Sequence, residues 1–269
     1  MRSKQRRRTR LRPTPLFIVL CILVVILIAT GVTIFALGGN DSSTPAKGDK
    51  ENTQQQAKPK PYDFSEPLKA TKAVDNSYFD DAIFIGNSRT EGLFLYSGLS
   101  NAKCYAHKGL MVNTYFTEKT YNLNGTKVSM AEAIKANKSF KKAYIMLGMN
   151  ELGWGYPKLY IEKYTKILKS IRKINPDVKI YVQSIIPVTK TKSQGDDIYN
   201  MKHINKFNKL LQQMAYKEKV YYVNVGEGVS NKAGYLPEDA AFDGVHLKAE
   251  YANKWLDYLK THTMEAVEK

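Results

Sequence analysis

Cysteine is almost missing from this chain of 269 residues, with only Cys21 and Cys104 present, and histidine is scarce at four residues. Two widely separated thiols exclude a disulfide framework. His107, His203 and His262 show no ligand spacing among themselves, so no metal site is expected, and no cofactor either. Zinc-finger spacing, an aromatic RNA-binding signature and a basic recognition helix are all lacking. The net charge of +16 therefore does not imply nucleic acid as a partner. Acidic residues are missing from the first 40 positions. Arg2, Lys4, Arg6, Arg7, Arg8, Arg10 and Arg12 precede the first acid, Asp41. Setting those seven aside leaves 34 basic against 25 acidic residues, a surplus of +9. That remainder favours attraction to anionic surfaces such as wall polymers.

Between tail and bulk lies LFIVLCILVVILIATGVTIFAL, residues 16–37, without a single charge. At about 1.5 Å per residue it crosses a hydrocarbon core of about 30 Å, so a transmembrane helix is expected. The basic cluster on its N-terminal side keeps that end in the cytoplasm and sends the rest outside. The competing reading is a cleaved signal peptide, whose apolar region is usually about 7 to 15 residues. This run is longer and ends in a weak cleavage site, Ala36-Leu37-Gly38-Gly39, which favours a retained anchor. Lipidation of Cys21 is not expected, since Val19 and Leu20 stand where small residues are wanted. A domain exported without disulfides suits a bacterial envelope. Residues 38–62, rich in Gly, Ser, Thr, Pro, Gln and Lys, read as a flexible linker. The expected order is a cytoplasmic tail at 1–15, a membrane helix at 16–37, a linker at 38–62 and one domain at 63–269. Asn124-Gly125-Thr126 and Asn137-Lys138-Ser139 match glycosylation sequons, which mean nothing in most bacteria.

Within the domain, residues 82–85, 103–106, 143–147, 179–185 and 220–225 are short apolar runs that read as buried strands. Amphipathic stretches at 129–136, 160–174, 200–216 and 249–261 read as helices. The first opens on Ser129 and Glu132 at capping-box spacing, and the second stops at Asn175-Pro176. Five strands alternating with helices predict an α/β three-layer sandwich around a parallel sheet, flavodoxin-like, in the order 2-1-3-4-5.

Four segments carry candidate chemistry. Gly86-Asn87-Ser88-Arg89 follows the first strand, where Ser88 is either a helix cap or a nucleophile whose developing charge meets a helix N-terminus. Asp243 and His246 stand three residues apart before the last helix, either as a cap with an exposed histidine or as an acid orienting a base. Gly148-Met149-Asn150-Glu151 follows the third strand, and Asn150 there can aim an amide at an oxyanion. Gly109, after the second strand, offers a backbone donor. Each of these two also reads as an ordinary turn. Arg89 is either a solvated helix residue or a contact for an anionic substrate. Trp154 and Tyr156 either pack or line a sugar-binding cleft.

In this order the four segments resemble the SGNH (GDSL-like) hydrolase family from about Asp80 to Leu259. Its nucleophile block falls on Ser88, its glycine block on Gly109, its Gly-x-Asn block on Gly148 and Asn150, and its Asp-x-x-His block on Asp243 and His246. The usual Gly-Asp-Ser is Gly-Asn-Ser here, and Asn87 keeps a carbonyl acceptor while losing a charge. Glu151 stands where an Asp is often found. The resemblance implies two-step acyl transfer by a Ser88-His246-Asp243 triad, with the Ser88 and Gly109 NH groups and the Asn150 amide holding the oxyanion. The location implies an esterase removing small acyl groups, O-acetyl foremost, from envelope or extracellular carbohydrate or from small esters. An O-acyltransferase using the same triad and a catalytically silent glycan-binding module are the alternatives.

Overall fold

The computed structural model describes residues 62–264. The expected tail, membrane helix and nearly all of the linker lie outside the described residues. Among the described residues, no helix is long and apolar enough to cross a membrane. Tyr62, the last residue assigned to the linker, packs its ring against Phe64 and Tyr221 at centroid separations of 5.0 and 5.2 Å.

Seven strands occur among the described residues. β1 (Ala82–Gly86), β2 (Lys103–Ala106), β5 (Lys142–Met146), β6 (Lys179–Gln183) and β7 (Tyr221–Val223) form a parallel sheet in the order β2-β1-β5-β6-β7. Ranked within that sheet, this is the 2-1-3-4-5 order expected from the alternation of elements. β1 and β5 are buried along their whole length, which is why they read as continuous apolar runs rather than alternating ones.

Helices α2 (Met130–Ala136), α3 (Pro157–Ile174) and α5 (Met201–Glu218) cover one face. α1 (Ser88–Tyr96) and α6 (Ala249–Thr261) cover the other. In α3, Tyr160, Tyr164, Ile167, Leu168 and Ile171 fall on one stripe and are all buried. Burying a large apolar side chain is worth roughly 1.5–3 kcal/mol. Such a stripe holds α3 to the sheet more strongly than its own helix propensity does. Pro157 opens that helix, where its missing NH costs nothing. On the opposite face, Phe84, Tyr144 and Tyr181 are register partners and stack across three strands at 4.8 and 4.4 Å. Fully buried Trp255 of α6 closes over that face, its Nε1 donating to Gln183 Oε1 at 2.8 Å.

A hairpin and a short helix were not anticipated. β3 (Tyr121–Leu123) and β4 (Thr126–Val128) form an antiparallel hairpin turned by Asn124 and Gly125, both at positive φ (50° and 85°). An Asn-Gly pair is the strongest short-range hairpin signal, and reading it only as a sequon concealed it. The short α4 (Lys190–Gly195) buries no residue, so it has no apolar stripe to reveal it. The predicted capping box is present: Ser129 Oγ accepts from the Glu132 NH, while Glu132 Oε2 accepts from the Ser129 NH at 2.8 Å.

Candidate active site

β1 ends on Gly86 because the turn into α1 leaves no room for a side chain. A Cβ there would lie 2.0 Å from Thr90 Oγ1 and 2.9 Å from the Met146 carbonyl. Asn87 caps the helix through its side-chain oxygen, which accepts the Arg89 NH at 3.1 Å. The acceptor that an aspartate would supply is thus retained without its charge. Ser88 occupies the first helical position, where the backbone NH has no acceptor within the helix.

The candidate base, His246, lies 158 residues downstream, yet Ser88 Oγ and His246 Nε2 are 2.9 Å apart. His246 Nδ1 lies 2.7 Å from Asp243 Oδ2. The other carboxylate oxygen, Oδ1, accepts the NH groups of Val245 and His246 at 2.9 and 2.8 Å. Partial burial alone would raise the Asp243 carboxyl, but the His246 NH, the His246 ring and the Val245 NH outweigh it and hold the value down to about 2. Asp243 is therefore ionised at any working pH. The three-residue spacing comes from this local loop rather than from a helix. Phe242 donates to the His246 carbonyl at 3.0 Å, and Gly244 sits at φ 80° with Thr189 donating to its carbonyl at 3.0 Å. A Cβ on Gly244 would strike Lys192 Cβ at 2.7 Å, so the loop is seated too closely for any other residue.

Across the site, the turn carrying Gly109 is tied to the end of β5 by two neighbouring side chains. Asn150 Nδ2 donates to the Leu110 carbonyl at 3.1 Å, and the Val112 NH donates to Glu151 Oε1 at 2.7 Å. Gly109, Asn150 and Glu151 are thereby held in one unit at the carboxyl ends of β2 and β5, beside the end of β1.

Glu151 is fully buried, and Oε2 has no hydrogen-bond partner among the described residues. Burial raises its carboxyl from 4.5 to about 7, against the opposing effect of the Val112 NH. With the folded value raised, this group contributes its full stability below about 4.5 and loses it as pH rises through about 7. Glu151→Gln, which keeps an acceptor for Val112, should flatten the fall in Tm over that window. Glu151→Ala strands a buried NH and should cost roughly 1–3 kcal/mol at every pH. Thermal melts of the three proteins across pH check both, and an unchanged slope in Glu151→Gln would place the titration on another group.

Arg89 is not a solvated helix residue. It is buried, and its guanidinium donates to the carbonyls of Ile186 and Pro187. Burial lowers it to about 9, while the negative charge of Asp243 supports it. It braces α1 against residues 186–189, the segment from which Thr189 holds Gly244. Trp154 packs partly buried against the core that includes α3, and Tyr156 is 78% exposed at the start of that helix.

A cavity of about 290 Å³ opens at the start of α1, lined by Ser88, Arg89, Glu91, Gly92, Leu95, Tyr96, Phe242, His246 and Leu247. Trp154 and Tyr156 are not among its walls. Leu95 and Phe242 are 72% and 64% exposed. Nothing in the sequence marks Leu95, Tyr96 or Phe242 as a wall of this cavity except that Phe242 immediately precedes Asp243.

A model of the GDSL-like lipase/acylhydrolase family matches residues 84–252. That span contains Ser88, Gly109, Asn150, Asp243 and His246. No curated protein matches the chain. Among solved structures, it is similar to a GDSL-like lipase from Bacteroides thetaiotaomicron, at 15% identity, covering 71% of this chain and 89% of that one with a TM-score of 0.50. A candidate acylhydrolase from Bacteroides fragilis is 16% identical over 82% of this chain and 98% of its own, with a TM-score of 0.51. For a candidate SGNH hydrolase from Slackia heliotrinireducens the identity is 16%, the coverage 67% and 97%, and the TM-score 0.51. At such identities the structural likeness is one of fold, while the family match spans most of the chain. The chain belongs to the GDSL-like lipase/acylhydrolase family and is a serine esterase of the SGNH type.

Proposed function

We propose that this protein is a membrane-anchored, extracytoplasmic esterase that removes small acyl groups, O-acetyl foremost, from envelope or extracellular carbohydrate. The observation that carries the reading is the unbroken hydrogen-bond path from Ser88 Oγ through the His246 ring to Asp243. Ser88 Oγ attacks the ester carbonyl while His246 Nε2 takes its proton, and Asp243 stabilises the imidazolium that results. The oxyanion is held by the Ser88 NH, the Gly109 NH and the Asn150 amide. His246 then protonates the departing alcohol, and water activated by the same ring releases the acyl group from Ser88. The site lies on the surface, with the Asp243 and His246 side chains about half exposed. That suits a substrate which stays largely solvated, as a glycan does. The uncharged run at 16–37 and the basic surplus of the remaining chain support an anchored domain facing anionic envelope polymers.

The test uses intact protoplasts that carry the full chain, supplied with an acetylated polysaccharide too large to enter. Free acetate should accumulate, and protease added outside should end its release. Acetyl recovered on a second glycan instead of as acetate would make the enzyme a transferase. Activity appearing only after lysis would reverse the proposed orientation.

A further inference from the structure

The walls of the cavity beside Ser88 divide the substrate. Ser88 and His246 both line it, whereas Gly109, Leu110 and Asn150 do not. The carbonyl oxygen of a bound ester must point towards Gly109 and Asn150, away from this cavity. The alcohol oxygen must lie near His246 Nε2, because that nitrogen returns the proton. When the tetrahedral intermediate collapses, the bond from carbon to the alcohol oxygen breaks and its electron pair stays on that oxygen. The oxygen takes the proton from His246 Nε2, and the acyl group remains on Ser88 Oγ. The departing alcohol is therefore on the His246 side when it forms.

We infer that the cavity walled by Leu95, Tyr96, Phe242 and Glu91 is the leaving-alcohol subsite and that it takes a sugar ring. This rests on the esterase reading above and names its substrate contact. Tyr96 and Phe242 stand with ring centroids 6.1 Å apart at 44°, forming an open aromatic corner rather than a closed slot. Such a corner covers one apolar face of a flat ring and leaves the ring's edge in water. A long acyl chain would gain little there, because an open corner takes only a small part of its apolar surface out of water. Glu91 adds a hydrogen-bond acceptor to the same wall, which a ring hydroxyl satisfies and a hydrocarbon does not. Both aromatic rings are partly exposed, Tyr96 at 37% and Phe242 at 64%, so neither is committed to the core.

The experiment compares the full-length protein with its Phe242→Ala and Tyr96→Ala variants on three esters. Two share the acetyl group but differ in alcohol: mono-O-acetylated methyl glucopyranoside and ethyl acetate. The third, ethyl butyrate, lengthens only the acyl group. In each variant the ratio of kcat/KM for the sugar ester over ethyl acetate should fall about tenfold, chiefly through KM. The ratio of ethyl butyrate over ethyl acetate should stay where it is. If instead the acyl-length ratio moves while the alcohol ratio holds, the cavity is an acyl pocket and the inference is wrong; it is equally wrong if neither ratio moves. Binding is measured separately by titrating methyl glucopyranoside, which should bind Phe242→Ala about tenfold more weakly than wild type. Weakened binding in a protein that hydrolyses no ester would uphold the sugar site and overturn the esterase reading. Equal binding would overturn the sugar site whatever the hydrolysis shows.

Discussion

Ser88→Ala and His246→Ala should each lower kcat by about 10⁶, and the double variant should be scarcely worse than either. The reason is geometric. One hydroxyl and one ring nitrogen 2.9 Å apart share a single proton, so removing either end removes the same step. Asp243 is different, because its two oxygens do separate work. Oδ2 faces His246 Nδ1, while Oδ1 accepts two backbone NH groups that shape the loop. Asp243→Asn keeps an oxygen for that loop but loses the charge that supports the imidazolium, so a fall of about 10⁴ in kcat is expected with little change in Tm. Asp243→Ala should lose stability as well, since the Val245 and His246 NH groups lose their acceptor. A serine-directed fluorophosphonate should label the wild type once and Ser88→Ala not at all. Labelling that survives in Ser88→Ala would place the nucleophile elsewhere on the same fold.

Asn150→Ala should lower kcat by roughly 10² to 10³ with little effect on KM, the scale for losing one oxyanion donor. Asn150 Nδ2 already donates to the Leu110 carbonyl, which leaves the second hydrogen of the amide for the substrate. The same side chain thus both donates and holds the neighbouring turn, so part of the loss would come from Gly109 moving. Asn150→Asp, which keeps the size but offers no amide donor to either oxygen, should lose both contributions together. If kcat stayed constant while KM rose, Asn150 would be a ground-state binding residue and the oxyanion would rest on backbone donors alone.

Much of the site was legible because its pieces are short and local. Gly86-Asn87-Ser88 needs a small residue where strand turns into helix, and a Cβ on Gly86 would overlap Thr90. Asp243 and His246 form their contact within one loop, so spacing alone carried it. Arg89 misled because a charge next to a nucleophile in sequence looks solvent-facing. Its fate depends on the carbonyls of Ile186 and Pro187, almost a hundred residues away. Glu151 was equally opaque, since its burial and its bond to Val112 depend on how two separate turns meet. Strand ends ran long in the sequence reading. Apolar residues such as Ile185 and Val225 continue past the sheet into buried connections, where burial persists but pairing stops.

By itself the sequence determined the alternation of strands and helices, the order of the sheet and the four candidate segments. Those are properties of hydrophobic period, turn chemistry and residue type, all of which act over a few neighbours. Only the tertiary structure decided that Ser88 and His246 touch, that Arg89 is a buried brace, and that Leu95, Tyr96 and Phe242 form one wall. Each of those facts is a distance between chain segments far apart in sequence. Such distances are set by packing on both faces of a parallel sheet, which gathers the carboxyl ends of β1, β2 and β5 at one edge.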